Sequence, residues 1–193
     1  DIADKFDPFF KKFAKQRFMI QTAEKFLGSK ANFRKSEIFN KPAKIGLASP
    51  MHQDNFYWCV KNNNALTIWV SLDYSNKKNG GVTYFQGSHK YGVVKHTDSY
   101  APGSSQKITL RVLKKFKKLK KITPNLKPGD ALVHHCLTFH GSGPNNSSKN
   151  RRGFTMQDKD KSSTYDDKML RHYQKRLKLQ VNLRKKIKKN KSK

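Results

Sequence analysis

A histidine closing one apolar run, an arginine opening the next, and an upstream His-x-Asp are the residues of this chain best suited to do chemistry together. Residues 129–152 read G-D-A-L-V-H-H-C-L-T-F-H-G-S-G-P-N-N-S-S-K-N-R-R. A Pro-Gly-Asp turn at 128–130 feeds the apolar run 131–139, which predicts a buried strand ending on His140. Gly141-Ser142-Gly143-Pro144-Asn145 then breaks that strand. Arg151 opens a second short strand, R-R-G-F-T-M. An imidazole can coordinate a cation while a guanidinium nearby forks onto a carboxylate. Upstream, P-M-H-Q-D-N-F-Y-W supplies His52 and Asp54.

Two histidines and one carboxylate on one face of a metal, with open positions opposite, is the arrangement of non-haem Fe(II) oxygenases. H-Q-D-N-F-Y-W, then N-G-G-V-T-Y-F-Q-G-S-H-K, then H-G-S-G-P-N with an arginine eleven residues after its histidine resembles the phytanoyl-CoA dioxygenase family of Fe(II)/2-oxoglutarate-dependent oxygenases. Each motif is weak alone; the ordered set, from residue 26 to residue 173, is specific. The resemblance implies Fe(II) on His52, Asp54 and His140, with the far carboxylate of 2-oxoglutarate on Arg151. By the same resemblance Ser142 and Trp69 line the 2-oxoglutarate pocket; the plain alternatives are a turn serine and a core tryptophan, and for Trp69 the two readings are nearly even. The implied activity is hydroxylation of a small-molecule or lipid-like substrate with O2, releasing succinate and CO2. Which substrate is not legible. Gln53, Asn55, Tyr57 and Trp58, following the metal strand, are expected at the substrate mouth.

A rival His-x-Asp exists at His96-Thr97-Asp98. In the implied fold several strands separate the His-x-Asp from the distal histidine. The stretch 54–140 holds the expected strands, whereas 98–140 must fit them into about half the length around a lysine-rich insert. His52 and Asp54 are therefore preferred. His134, His135 and His89 remain alternatives for the third ligand, but none begins H-G-S-G-P-N. Strand alternation sends Arg151 and Arg152 to opposite faces, so only one can point inward. The eleven-residue offset favours Arg151.

The elements that must position these residues read as a mainly β domain. Residues 8–27 pattern as an amphipathic helix stopped by Gly28. Strands are expected at 33–41, 44–58, 65–72, 82–85, 92–95 and 107–113, with a loop at 100–106. The apolar run 65–72 suits a central strand. K-K-F-K-K-L-K-K-I, 114–122, is expected as an exposed helical insert or a lysine-decorated edge. A helix capped at Ser163 or Thr164 is expected from 165 to about 180. Roughly eight short strands between Gly, Pro and Asn turns suit a double-stranded β-helix, a jelly-roll or cupin-like barrel with flanking N- and C-terminal helices. The resemblance implies the same fold.

At 193 residues the chain is expected to be a single oxygenase domain over 1–180 with a basic tail at 181–193. It does not begin with Met, and members of the family usually carry more N-terminal sequence, so an N-terminally truncated chain is one of the readings. No apolar run is long enough for a membrane span. Cys59 and Cys136 read as small buried hydrophobes in a reducing compartment, and cytoplasm is the expected location. A net charge of +29 raises the question of a polyanion partner. The cations are mostly lysine in a chain rich in Asn, Ile and Phe, which fits compositional bias with solvated lysines better than a phosphate grip built on arginine. Two other readings follow from the charge: a nucleic-acid demethylase of the same chemistry, and a non-catalytic basic barrel that binds polyanions. The intact set of two histidines, aspartate and arginine disfavours the second.

Overall fold

A computed structural model describes residues 2–101 and 104–191, with side chains as far as Leu183. Three short helices come first: α1 (Ala3–Phe6), α2 (Pro8–Ala14) and α3 (Arg17–Leu27). Strands β1 (Ala31–Lys41) and β2 (Ser49–His52) follow, then the one-turn helix α4 (Asn55–Trp58). Next come β3 (Ala65–Ser71), β4 (Val82–Phe85), β5 (His96–Ala101), β6 (Ser104–Ile108) and helix α5 (Leu110–Lys115). The chain continues through β7 (Lys121–Ile122), β8 (Ala131–His135), β9 (His140–Ser142), β10 (Arg151–Asp160) and helix α6 (Asp167–Lys191). None of the described helices is long and apolar enough to cross a membrane.

Two antiparallel four-stranded sheets, in the orders β1-β10-β3-β8 and β2-β9-β4-β7, face each other, and β5 and β6 form a separate hairpin. This is the jelly-roll arrangement expected. Alternation along the strands of the first sheet divides the work. Leu66, Ile68, Phe154 and Met156 point outward and pack with Ala14, Ala23 and Leu27 of the N-terminal helices. Thr67, Trp69, Arg151, Thr155 and Gln157 point inward, where they line a cavity of about 540 Å³ between the sheets. The central position of β3 accounts for its unbroken apolar run.

Several sequence expectations need correction. The helix expected over 8–27 is two helices, broken at Lys15 and Gln16, where Gln16 is extended before α3 begins. Asp7 starts α2 by accepting from the Phe9 N–H at 2.8 Å, and Gly28, at φ 68°, ends α3. The strand expected over 44–58 is only Ser49–His52. Beyond it the buried Gln53 side chain stands in for a neighbouring strand: it donates to the carbonyls of Gly92 and Leu137 and accepts from the Val94 N–H. Asp54 then starts a helical turn.

No strand occupies 92–95, and the loop expected at 100–106 is largely the β5–β6 hairpin, with residues 102 and 103 outside the described part. The alternation at 107–113 was misleading. Thr109 accepts from the Val112 N–H and caps α5, leaving Leu110 exposed while Val112 and Leu113 pack toward Phe85, Ile108 and Phe139. In the lysine-rich stretch Phe116 and Leu119 join that cluster, and β7 forms the edge of the second sheet. The strand over 131–139 stops at His135, and His140 begins a new strand in the opposite sheet instead of ending the old one. Helix α6 extends past 180 to Lys191, through the stretch read as a tail; the side chains beyond Leu183 lie outside the described part.

The pairing of β2 with β9, in which Ser49 lies opposite Ser142 and His52 opposite His140, leaves no room at Gly141. A Cβ there meets the Ser49 carbonyl oxygen at 2.8 Å and the Met51 nitrogen at 3.0 Å, both backbone. Gly141→Ala is expected to cost about 1–3 kcal/mol. Thermal unfolding should show that as a Tm lower by about 2–12 °C.

Candidate metal centre

The second sheet brings His52 and His140 side by side, with ring centroids 4.3 Å apart, and the turn after β2 folds Asp54 back beneath them. One ligand atom from each of the three residues lies within 4.8 Å of the others. Both imidazoles are oriented by their own backbone. The Nδ1 of His52 lies 2.8 Å from the Pro50 carbonyl oxygen, and the Nδ1 of His140 lies 2.9 Å from that of Thr138. Donation to those carbonyls puts the proton on Nδ1 and leaves each Nε2 lone pair facing the centre.

The Asp54 carboxylate is divided in the same way. Its Oδ2 accepts from the Thr67 hydroxyl at 2.8 Å and lies 3.2 Å from His134 Nε2. Its Oδ1 faces His140 Nε2 at 3.6 Å and His52 Nε2 at 3.9 Å. One oxygen is thus held by the protein and the other is presented to the two imidazoles. His134, considered from the sequence as a third ligand, meets the held oxygen. With Nε2–H donating to Asp54, its Nδ1 can accept from the Tyr84 hydroxyl 3.4 Å away.

Electrostatics suit a cation. Burial pushes His140 down to about 3, helped by the nearby His52, and burial likewise lowers His52. Both imidazoles are therefore neutral near neutral pH and can coordinate. Burial by itself would raise the Asp54 carboxyl, but His140, His134 and His52 around it hold it below the usual carboxylate range. Two neutral nitrogens and one ionised oxygen form a donor set that fits a divalent iron, and Fe(II) suits it by ligand type.

The second half of the site lies along β10. Arg151 is 4 % exposed, its Nε is buried without a hydrogen-bond partner, and its guanidinium lies 5.7 Å from the centre of the Trp69 ring. Arg152 points the other way, into solvent, and forks onto Asp73 at 2.9 and 2.8 Å. No described carboxylate forms an ion pair with Arg151. A buried cation with no counter-ion is costly unless an anion meets it. Ser142 and Trp69 line the same cavity.

Reading the sequence missed Lys41. It is 5 % exposed and donates to the Ser142 Oγ at 2.7 Å and to the Gly143 carbonyl at 2.5 Å. With its oxygen occupied by that ammonium, the Ser142 hydroxyl keeps its one proton for an acceptor in the cavity. Burial, with the repulsion of Arg151 added, lowers Lys41 to about 8. Asn-Lys-Pro gives no spacing signal that could have marked it. Thr67 was hidden in the same way, inside an apolar strand.

Of the residues expected at the substrate mouth, Tyr57 and Trp58 line the cavity. Gln53 and Asn55 do not. Gln53 bridges backbone as described, and the buried Asn55 amide donates to the Val60 carbonyl at 3.0 Å. The rival pair lies outside the centre. His96 Nε2 accepts from the Gln53 N–H at 3.1 Å, and Asp98 binds Arg176, Gln106 and Gln180, tying α6 to the hairpin.

A family model described as phytanoyl-CoA dioxygenase matches residues 4–153. The probable alpha-ketoglutarate-dependent hypophosphite dioxygenase of Stutzerimonas stutzeri is 30% identical over 138 residues, covering 69% of this chain and 47% of that protein. The peroxisomal phytanoyl-CoA dioxygenase of Bos taurus is 24% identical over 153 residues, covering 77% of this chain and 45% of that one. The chain spans about half the length of these curated relatives. Among solved structures, the epimerase SnoN in complex with Fe3+, alpha ketoglutarate and nogalamycin RO superposes with a TM-score of 0.73. It is 23% identical, with 84% of this chain and 63% of that one covered. EctD from S. alaskensis with bound Fe gives 0.70 at 21% identity, with 84% and 56% covered. At such identities these two structures establish the shared fold alone.

Asp54→Ala and His140→Ala are each expected to abolish binding of Co(II), read from its visible absorption. Asp98→Asn should retain it and instead lower Tm by about 2–6 °C, through the hydrogen bonds lost to α6 and the hairpin. Retained cobalt absorption in the first pair, with loss in Asp98→Asn, would move the centre to the rival motif.

Proposed function

The chain belongs to the phytanoyl-CoA dioxygenase family, and from that premise we propose that it is an Fe(II)- and 2-oxoglutarate-dependent oxygenase hydroxylating a small molecule. His52, Asp54 and His140 are the residues that would hold the iron. In the overall reaction 2-oxoglutarate and O2 are consumed, and succinate, CO2 and hydroxylated product are released. Bound iron supplies the oxygen activation that no side chain can perform. The observation that carries the reading is the buried, acid-free Arg151, which shares one cavity with a neutral, neutral, anionic donor set.

The protein's own part is binding, orientation and exclusion of water. Arg151 donates to the distal carboxylate of 2-oxoglutarate, and Ser142, its oxygen occupied by Lys41, donates to the same group. Trp69 supplies a flat wall against which the guanidinium is held. Thr67 and His134 keep the Asp54 carboxylate from rotating, so that a single oxygen is presented. Tyr57 and Trp58 add aromatic wall to the cavity, with the Tyr57 ring 5.5 Å from that of His52. Relatives named for hypophosphite and for phytanoyl-CoA show how far substrates range among related proteins, so the family by itself does not choose one.

Anaerobic titration of the apoprotein with Fe(II) and then 2-oxoglutarate is expected to produce a weak visible charge-transfer band. Absence of the band in folded protein overturns the assignment. Removing one partner of a buried charged pair costs about 2–5 kcal/mol, so Arg151→Ala should weaken 2-oxoglutarate binding by roughly 30- to 3,000-fold. Arg152→Ala, which loses only a contact to Asp73 on the outer surface, should change it less than about threefold.

The lowered Lys41 gives a pH dependence of definite sign. Below about 8 the ammonium is charged and favours an anion in front of Ser142; above about 8 it has lost its proton and that help. Affinity for 2-oxoglutarate, measured by calorimetry, should therefore fall as pH rises through about 8, with proton uptake on binding. Lys41→Met should lower the affinity and flatten the profile. An unchanged profile in that variant would remove Lys41 from the binding apparatus.

A further inference from the structure

The cavity holds a second arginine, Arg34, that neither the metal nor 2-oxoglutarate uses in this reading. Strand β1 carries a β-bulge at Arg34: Phe33 pairs with Asp158 and Lys35 with Gln157, leaving Arg34 between them without a partner of its own. A bulge breaks alternation, so two successive side chains, Arg34 and Lys35, both line the cavity, whereas Phe33 and Ile38 pack toward the helices. The guanidinium lies 4.5 Å from the centre of the Trp58 ring and 5.9 Å from that of Tyr165. Ring faces on a guanidinium leave its in-plane N–H groups for oxygen acceptors.

Few of those donors are used. Nη1 donates to Gln157 Oε1 at 2.8 Å, and Nε is buried with no partner. No described carboxylate pairs with Arg34. Glu37, the acid in this part of the wall, is engaged by Lys35 at 2.9 Å and by Gln157 Nε2 at 2.7 Å. Asp158 faces the other side of β10, and burial without a compensating cation pushes it up to about 6. Two cations against one carboxylate leave this end of the cavity positive.

Position across the sheet relates Arg34 to the metal centre. Gln157 is paired with Lys35 on one side and Thr67 on the other, and Thr67 with His134. Arg34 is thus two strands from Thr67, about 10 Å, on the row that holds Asp54. Arg151 is at the far end of β10, opposite Lys41 and roughly 20 Å from Gln157. The two arginines are separate sockets. Trp58 lies against Arg34, and Tyr57, Tyr173 and Leu177 add apolar and aromatic lining to the same cavity.

We infer that the substrate carries an oxyanion, a carboxylate or a phosphoryl group, on an apolar body, and that Arg34 binds this group over Trp58 while the body extends toward the metal centre. This deepens the oxygenase reading and rests on it for the word substrate.

The test uses three probes of similar shape: 4-phenylbutyrate, 3-phenylpropylphosphonate and the neutral 4-phenylbutyramide. Each is titrated against the full chain in saturating 2-oxoglutarate, following tryptophan fluorescence; the chain has two tryptophans, of which Trp58 lies against Arg34. Wild-type protein should bind one or both anions more tightly than the amide, and the tighter anion names the group. Arg34→Gln should weaken the anions by about tenfold to a hundredfold, the range of hydrogen bonds to a charged group, and the amide less than threefold; Arg34→Lys should restore part of the loss. Equal binding of anions and amide by wild-type protein, or no binding of either, overturns the inference. So does an anion preference that survives in Arg34→Gln and vanishes in Arg151→Gln, which would put the probes in the 2-oxoglutarate socket. An equal loss for anions and amide in Arg34→Gln, unrelieved by lysine, would make the residue a structural prop. The readout is binding, not turnover, so a missing charge-transfer band would sink the oxygenase reading and leave this comparison intact.

Discussion

The pairing of β2 with β9 is the constraint on which the site depends. It sets His52 directly across from His140, and in an antiparallel pair directly opposed side chains stand within about 5.5 Å of each other. The strands are only four and three residues long, so little else fixes their register. Gly141 allows the close backbone approach, and the Gln53 side chain ties the end of β2 to the Gly92 and Leu137 backbone. A slip of one residue in either strand would turn its imidazole to the other face and away from its partner.

Around that pair the protein spends its hydrogen bonds on orientation. Each imidazole is held by the carbonyl two residues before it, and Asp54 by Thr67 and His134 from the opposite sheet. The centre is thus clamped between both sheets, so its geometry depends on the packing of the whole barrel. Unmatched charge is the complementary device. Arg151 and Arg34 line one cavity, and Lys41 stands behind Ser142 of its wall; none of the three forms an ion pair with a described carboxylate, in contrast to Arg152 and Arg176, which are satisfied by Asp73 and Asp98 on the outside. Cations kept uncompensated inside a fold are the counterparts that the proposed anionic ligands need.

The bulge at Arg34 and the alternation at Arg151 illustrate two ways for one sheet to aim a cation inward. At Arg151 regular alternation suffices, with Arg152 turned out and Gly153 making space beneath Trp69. At Arg34 the regular pattern would have given the cavity one side chain, and the extra residue gives it two. The basic surface plays no part in either device, because solvated lysines are screened by salt within about 10 Å.

How much was legible in the chain itself follows from how local each signal is. The resemblance carried by H-Q-D, H-G-S-G-P-N and the later arginine named the residues now found around one cavity, because residue type and order survive in the sequence. Strand alternation separated Arg151 from Arg152, since a period of two is a local property of extended chain. The barrel was legible from short apolar runs between turn residues. Other features were decided only by tertiary structure. Leu110 and Val112 alternate as a strand does, but the Thr109 cap and the packing of Val112 made a helix there. His134 could be read as a ligand until the pairing of β8 with β3 gave it the far oxygen of Asp54. Lys41 and Arg34 look like two more of many surface lysines and arginines, and nothing in their neighbours marks them. Their inward placement depends on the partner strand and on one unpaired residue in the register, quantities that exist only once distant segments have met.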